Sequence, residues 1–508
     1  MRSVPDLARR RAELSPDAIA FTEAATGRRL TAREFNARAD RFAEALGRRG
    51  VTAGERIAVL CHNSPTFFEI LMGSAKAGVV LVPLNWRQTP AELLPILADC
   101  GARLLLHDEA TAGLAASLGS AAELELVSFS AYEDLIARSS GAPAGGSAWP
   151  TDRLWYLLYT SGTTGKPKAV IQTVGMALAN YVNVQQAVSL TEADRTVNFL
   201  PLFHTAGINL HSLPVYLAGG TVHVLPKFDV EAVMGLLESG SLTLFFGVPA
   251  IYQAISLHPA FPQADLSRVR NWGCGGAPLP DALIRAFLAK GVVVCNGMGM
   301  TETGPTVFIM DPAHAAEKVG SVGKPQILAE VRLVDLHGRD VADGERGELL
   351  FRGPGVTPGY FNNPEATANA FTPDGWLRSG DVGRRDSDGY YYIVDRIKDM
   401  YISGGENVYP AEVEAVLCDH PAVLEAAVIG VADTRWGEVG HAAVRLRPGA
   451  TATPEELCAH ARARLAAYKV PKRITLLDDF PRTAAGKVQK HVLRKLVSQE
   501  AETEESEA

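Results

Sequence analysis

Helix signals and strand signals alternate between Leu30 and His107, and this alternation leaves the chain few architectures. Thr31 to Glu34 reads as a capping box, in which a hydroxyl and a carboxylate cover each other's backbone N–H groups. Phe35, Phe42 and Leu46 then fall on one face, and Gly50 ends the helix. Arg56 to Leu60 reads as a strand. Ser64-Pro65 opens a second helix, Gly78 closes it, and Val79 to Leu84 follows as a buried strand. Thr89 to Glu92 caps a third helix. Parallel strands need crossovers long enough to hold a helix, so the pattern predicts a doubly wound α/β sheet with helices on both faces.

With 508 residues, 47% hydrophobic and 21% charged, the chain has apolar material for more than one core. Its net charge of −8 argues against general nucleic-acid binding, so an anionic ligand would be held by local positive groups. Cys61, Cys100, Cys274, Cys295, Cys418 and Cys458 form no CxxC pair, which predicts reduced thiols in a cytoplasmic protein and no zinc site. Met1 to Leu14 is Arg-rich without an apolar stretch, and no run of about 18 apolar residues occurs. Neither export nor a membrane span is predicted. The Glu- and Ser-rich end of the chain, 498–508, reads as a disordered acidic tail.

One stretch stands out for its chemistry. Tyr159 to Lys168 places hydroxyls, glycines and two lysines between the apolar run Leu154 to Tyr159 and a second one beginning at Ala169. Thr160, Ser161, Gly162, Thr163, Thr164, Gly165, Lys166 and Lys168 suit a polyphosphate-holding loop between strands. Glycine lets backbone N–H groups approach phosphate oxygens, hydroxyls add donors, and lysine adds charge. The spacing is not that of a Walker A loop, because only Thr163 and Thr164 separate Gly162 from Gly165-Lys166, and Pro167 follows. By itself the stretch would also suit a flexible surface hairpin.

Tyr159 to Val170 resembles the phosphate loop of the adenylate-forming superfamily, which includes acyl-CoA synthetases, peptide-synthetase adenylation domains and beetle luciferases. Ala169 stands where that family usually has glycine. Further motifs follow in the family's order. Pro201 to Gly207 resembles its aromatic-His motif, which makes His204 a candidate catalytic residue at the carboxylate pocket, and Phe246 to Tyr252 resembles a pocket-lining stretch. Read without the family, that second stretch is a buried strand and turn. Gly275, Gly276, Ala277 and Pro278, with Asn296, Gly297, Met298, Gly299, Met300 and Thr301, resemble the two segments that sandwich adenine. The resemblance makes Glu302 the magnesium-associated acid, in keeping with the oxygen ligands that a hard cation takes. Met298 departs from the family's usual aromatic residue and offers a flexible, polarizable contact instead.

Downstream, Gly347 to Tyr360 punctuates short strands and predicts a small β-barrel-like subdomain. The resemblance then implies Asp381 as ribose ligand, Arg396 as a nucleotide contact, Lys398 as hinge, and Gly404 and Gly405 beside a CoA tunnel. Lys487, in the last motif, is implied as the catalytic lysine. An acyl pocket of His204, Ile208, Val248, Gly276, Met298, Thr303 and Pro305 is mainly apolar, with no second charged anchor.

The expected organisation is a large ATP- and acyl-binding domain over 1–397 and a small mobile α+β domain over 398–497. The expected activity is ATP- and Mg2+-dependent activation of an aromatic or medium-chain carboxylic acid to an acyl-adenylate, then transfer to CoA. Ser403 to Pro410 and Asp433 to Glu438 resemble CoA ligases more than peptide-synthetase domains. Transfer to another acceptor, as in secondary metabolism, is the alternative. A non-enzymatic nucleotide-binding regulator fits poorly, because Glu302, Asp381, Arg396 and Lys487 are all retained.

Overall fold

The computed structural model describes residues 2–24, 26–141, 148–161, 167–277, 279–482 and 488–496. Among these residues the strands form five sheets. The alternating N-terminal segment builds a six-stranded sheet in the order Pro167–Thr173, Leu154–Ser161, Val80–Pro83, Arg56–Leu60, Ala102–His107, Glu125–Ser128. All its pairings are parallel except the first, a hairpin. The three expected helix starts are present. Thr31 caps Ala32–Arg48 with its capping box, Ser64 and Pro65 open Pro65–Ala77, and Thr89 opens Pro90–Cys100. Gly78 and Gly101 end the last two in the left-handed region.

Helix Pro65–Ala77 is buried from Pro65 to Lys76, so its two charged residues need partners inside the protein. Lys76 Nζ lies 2.6 Å from Asp6 and 2.9 Å from Asp40. Glu69 receives Arg38 at 2.8 Å and the Tyr132 hydroxyl at 2.8 Å. An aromatic cluster around Phe21, in contact with Phe35, Phe68 and Tyr216, joins this layer to a second sheet. That sheet runs Arg195–Asn198, Thr221–Val224, Ile19–Glu23, Arg29–Thr31.

A nine-stranded sheet carries most of the remaining chain before Lys398. Its order is Leu244–Gly247, Asn271–Cys274, Val294–Met298, Phe308–Ile309, Ser321–Pro325, Tyr391–Arg396, Leu377–Arg385, Arg346–Arg352, Glu330–Val334. The first three strands are parallel and the rest antiparallel. The β-rich stretch expected to be barrel-like is thus hydrogen-bonded edge to edge to the parallel strands. The expected turn after Gly247 is instead a helix, Pro249–Ser256, opened by proline at its first position.

Strands after Lys398 form a five-stranded sheet around Gly437–Leu446, which pairs along its length with the edge strand Val423–Asp433, and helices Pro410–Cys418 and Pro454–Arg462 flank it. The connection to the preceding sheet is polar. Asp395 accepts from Ala411 N at 2.9 Å, in the first turn of helix Pro410–Cys418. Lys490 pairs with Glu414 at 2.7 Å. Burial raises the Asp395 and Glu414 carboxyls, with the Lys490 charge opposing. Burial also works against the Lys490 ammonium, but the facing carboxylates hold it above the usual range.

The cysteines form no disulfide, and Cys61, Cys100, Cys274 and Cys295 are buried. Among the described residues no His, Cys, Asp or Glu group of three could hold a metal by itself, and no helix is long and apolar enough to cross a membrane.

Candidate active site

The phosphate-loop stretch is framed by the hairpin Leu154–Ser161 and Pro167–Thr173, with Lys168 opposite Thr160 and Pro167 opposite Ser161. Gly162, Thr163, Thr164, Gly165 and Lys166 lie outside the described residues. Where the hairpin emerges, the structure gathers a cluster that sequence reading only half foresaw. Lys168 Nζ sits 5.3 Å from the centre of the Tyr360 ring, and the Tyr360 hydroxyl donates to Glu302 Oε1 at 2.9 Å. Burial first, then the Glu302 charge, push the Tyr360 hydroxyl well above the usual phenol range, so it is a fixed donor. Gln172 Nε2 donates to Thr301 O at 2.8 Å, and Thr357 N to Glu302 O at 2.8 Å. Glu302 is 8% exposed, and its short turn is therefore held by both the hairpin and the segment before Tyr360.

Tyr360 was legible in the sequence only as punctuation after Gly359; nothing local marks it as the partner of an acid 58 residues away. Tyr360→Phe is expected to weaken the hold on Glu302 by the worth of one hydrogen bond to a charged group, about 1.5 kcal/mol. The Mg2+ concentration at half-maximal rate should rise about tenfold in a metal titration of the variant.

Strands Asn271–Cys274 and Val294–Met298 are parallel neighbours with Cys274 opposite Asn296, so Gly275 to Ala277 and Gly299 to Thr301 leave the sheet at the same end. Pro278 lies outside the described residues. A Cβ on Gly299 would stand 1.4 Å from Pro305 O, which only glycine avoids. Met298 is half-buried and pairs through its backbone with Phe308; Met300 packs on the same apolar cluster.

Asp381 and Arg396 face each other on adjacent antiparallel strands, with Arg396 Nε 3.3 Å from Asp381 Oδ1. These two were 15 residues apart in the sequence reading, and the hairpin between them brings them together.

On the acyl side, His204 and Ile208 follow strand Arg195–Asn198. Ala206–Leu210 is a π-helix, a wide turn often found at functional sites. It is pinned from three sides: Asn198 Nδ2 donates to Gly207 O at 2.7 Å, and Asn209 Nδ2 donates to Tyr156 OH at 2.6 Å and to Gly304 O at 3.1 Å. Asn209 thereby links Ile208 to Thr303 and Pro305 on the turn after Glu302. Val248 directly follows Gly247, which pairs with Cys274, two residues before Gly276.

Gly404 and Gly405 occupy the turn of the hairpin Tyr401–Ser403 and Glu406–Val408, both with positive φ. They and the turn at Lys398 belong to the C-terminal part of the chain, outside the nine-stranded sheet that carries Asp381. Lys487 lies outside the described residues; Val488 bridges to Arg482 and Gln489 N donates to Pro481 O at 2.7 Å.

The family model described as AMP-binding enzyme matches residues 8–361, and that of the AMP-binding enzyme C-terminal domain matches 412–487. The chain belongs to the AMP-binding enzyme family. It is 44% identical to a feruloyl-CoA synthase of Amycolatopsis sp over 96% of this chain and 97% of that one. It is also 38% identical to an indoleacetate–CoA ligase of Aromatoleum aromaticum, covering 98% of each. Among solved structures, the o-succinylbenzoate CoA synthetase of Bacillus subtilis in complex with ATP and magnesium ion matches with a TM-score of 0.86 at 32% identity, over 97% of this chain and 99% of that one.

Proposed function

We propose that the protein is an AMP-forming acid:CoA ligase whose substrate is an uncharged-tailed aryl acid of the arylpropenoic kind. ATP and the acid give an acyl-adenylate and pyrophosphate, and CoA then gives the acyl-CoA and AMP. The carrying observation is the acyl side itself: Ile208, Val248, Met298 and Pro305 offer apolar walls, and none of the candidate lining residues is Lys or Arg. The 44% identity with a feruloyl-CoA synthase supports the same class.

Glu302 is a buried carboxylate of the kind that would hold a hard divalent cation, and Mg2+ bound there would supply positive charge for the ATP phosphates. Lys168 adds charge beside it, and Tyr360 keeps Glu302 in place. Asp381 serves the ribose hydroxyls, its carboxylate already oriented by Arg396. His204 borders the reacting carboxylate. The thiol of CoA needs no protein nucleophile, because the adenylate is already activated.

Incubation with MgATP and a panel of aryl, cinnamyl and C4 to C16 acids, with and without CoA, tests the reading by mass spectrometry. Cinnamyl-type CoA thioesters are expected. AMP without any thioester would instead point to another acceptor, and thioesters of aliphatic acids alone would reject the aryl class. In the same assay Met298→Tyr is expected to lower KM for ATP about twofold to tenfold, since an aromatic stack is worth roughly 0.5–1.5 kcal/mol.

A further inference from the structure

His211 directly follows the π-helix Ala206–Leu210, seven residues beyond His204. It is 8% exposed, and its Nδ1 is buried with no hydrogen-bond partner among the described residues. A buried polar atom of this kind costs about 1–3 kcal/mol unless something pairs with it. Its ring stands edge-on to Phe246, with centroids 5.9 Å apart at 75°. Phe246 is only half-buried, and its ring also approaches Gly273 at the end of strand Asn271–Cys274 and Gly275 just after it. A Cβ on Gly273 would lie 2.7 Å from Phe246 Cδ2, and one on Gly275 3.1 Å from Cζ. One aromatic ring thus connects His211 to Gly275, beside Gly276, and sits two residues before Val248. The ring that carries the unpaired nitrogen is thus one aromatic side chain away from the candidate acyl residues Gly276 and Val248.

The charge around it is settled. Burial pulls the imidazole down to about 4, with Asp194 opposing and Arg270 adding to the fall. Asp194 is itself engaged by Arg270 at 2.6 Å and by Thr243 Oγ1 at 2.7 Å. An uncharged imidazole does not attract a second carboxylate, but it can exchange a hydrogen bond with a neutral hydroxyl.

We propose that His211 is a specificity-determining residue of the acyl site, exchanging a hydrogen bond with a hydroxyl on the aryl ring of the acid. This rests on the aryl-acid reading above. Its test compares 4-hydroxycinnamate with cinnamate, which differ only in that hydroxyl, for wild type, His211→Leu and His211→Gln. Wild type should prefer the hydroxylated acid in kcat/KM. His211→Leu should lose about tenfold on 4-hydroxycinnamate, mainly in KM, while cinnamate is unchanged or improved. His211→Gln, which keeps a polar group, should recover part of the preference. Each ratio is measured within one preparation, so a partly folded variant lowers both acids alike and leaves the ratio readable. An equal effect on both acids, or a preference unchanged in His211→Leu, overturns the proposal. If wild type forms a thioester with neither acid, the aryl-acid reading has failed first and takes this inference with it.

Discussion

Replacing Lys487 with alanine is expected to cut acyl-adenylate formation by roughly 10²-fold or more, while thioester formation from supplied acyl-adenylate stays near normal. The argument is electrostatic. A carboxylate and the α-phosphate of ATP are both anions, and each unit pair repels by about 4 kcal/mol at 4 Å with an effective dielectric near 20. Glu302 is itself negative, so the positive charge has to come from Mg2+ and lysines. Lys168 is placed beside Tyr360, on the side of Glu302. Lys487 is the lysine from the other end of the chain, and the residues after it are firmly held through Gln489 and Lys490. Once the adenylate exists, the repulsion is gone and the lysine has no further work. Single-turnover measurement of each half-reaction decides the matter, and equal losses in both would reject this role.

Lys398→Pro should affect the two half-reactions unequally, with one near the wild-type rate and the other down on the order of tenfold or more. Proline fixes φ at one residue, and a chain that turns at Lys398 between two arrangements needs freedom there. Asp395, three residues earlier, accepts from Ala411 N, and Lys490 faces the same carboxylate. Turning at Lys398 would exchange this polar contact for water, which makes it a contact of moderate strength and easy to replace. Arg346 adds a second link, with its guanidinium 4.9 Å from the Tyr409 ring. Equal rates for both half-reactions in the variant would remove Lys398 from the hinge.

Much of the fold could be read locally, and the reason is physical. Thr31 and Ser64 open helices because their side chains accept from backbone N–H groups three residues on, and Thr89 opens one by donating its backbone N–H to Glu92, all purely local events. Strand Val423–Asp433 shows itself in the sequence only through its middle, around Ala426 to Val431, which carries no charged residue. Pairing at long range left no such mark. Nothing around Phe308–Ile309, a two-residue strand, announces that it joins the parallel strands to the antiparallel ones. The site divides in the same way. Motif order points to Glu302, Asp381 and Arg396, whereas Tyr360 and Asn209 act through partners 58 and 95 residues distant. His211 escaped because a histidine in an apolar stretch looks like core until its neighbours are known.

The nine-stranded sheet has a consequence for how such a protein can change. Asn296, Arg396 and Asp381 lie on its strands, and Gly275 directly follows another, so the proposed nucleotide side is held in register by one continuous ladder of backbone bonds. His204, Ile208 and His211 come from a separate connection, fastened to that ladder's surroundings by a few side-chain amides such as Asn198 and Asn209. Substitutions on that connection can alter which acid is accepted without shifting the strands that hold the nucleotide. Selectivity and energy coupling are therefore free to diverge at different rates within one chain.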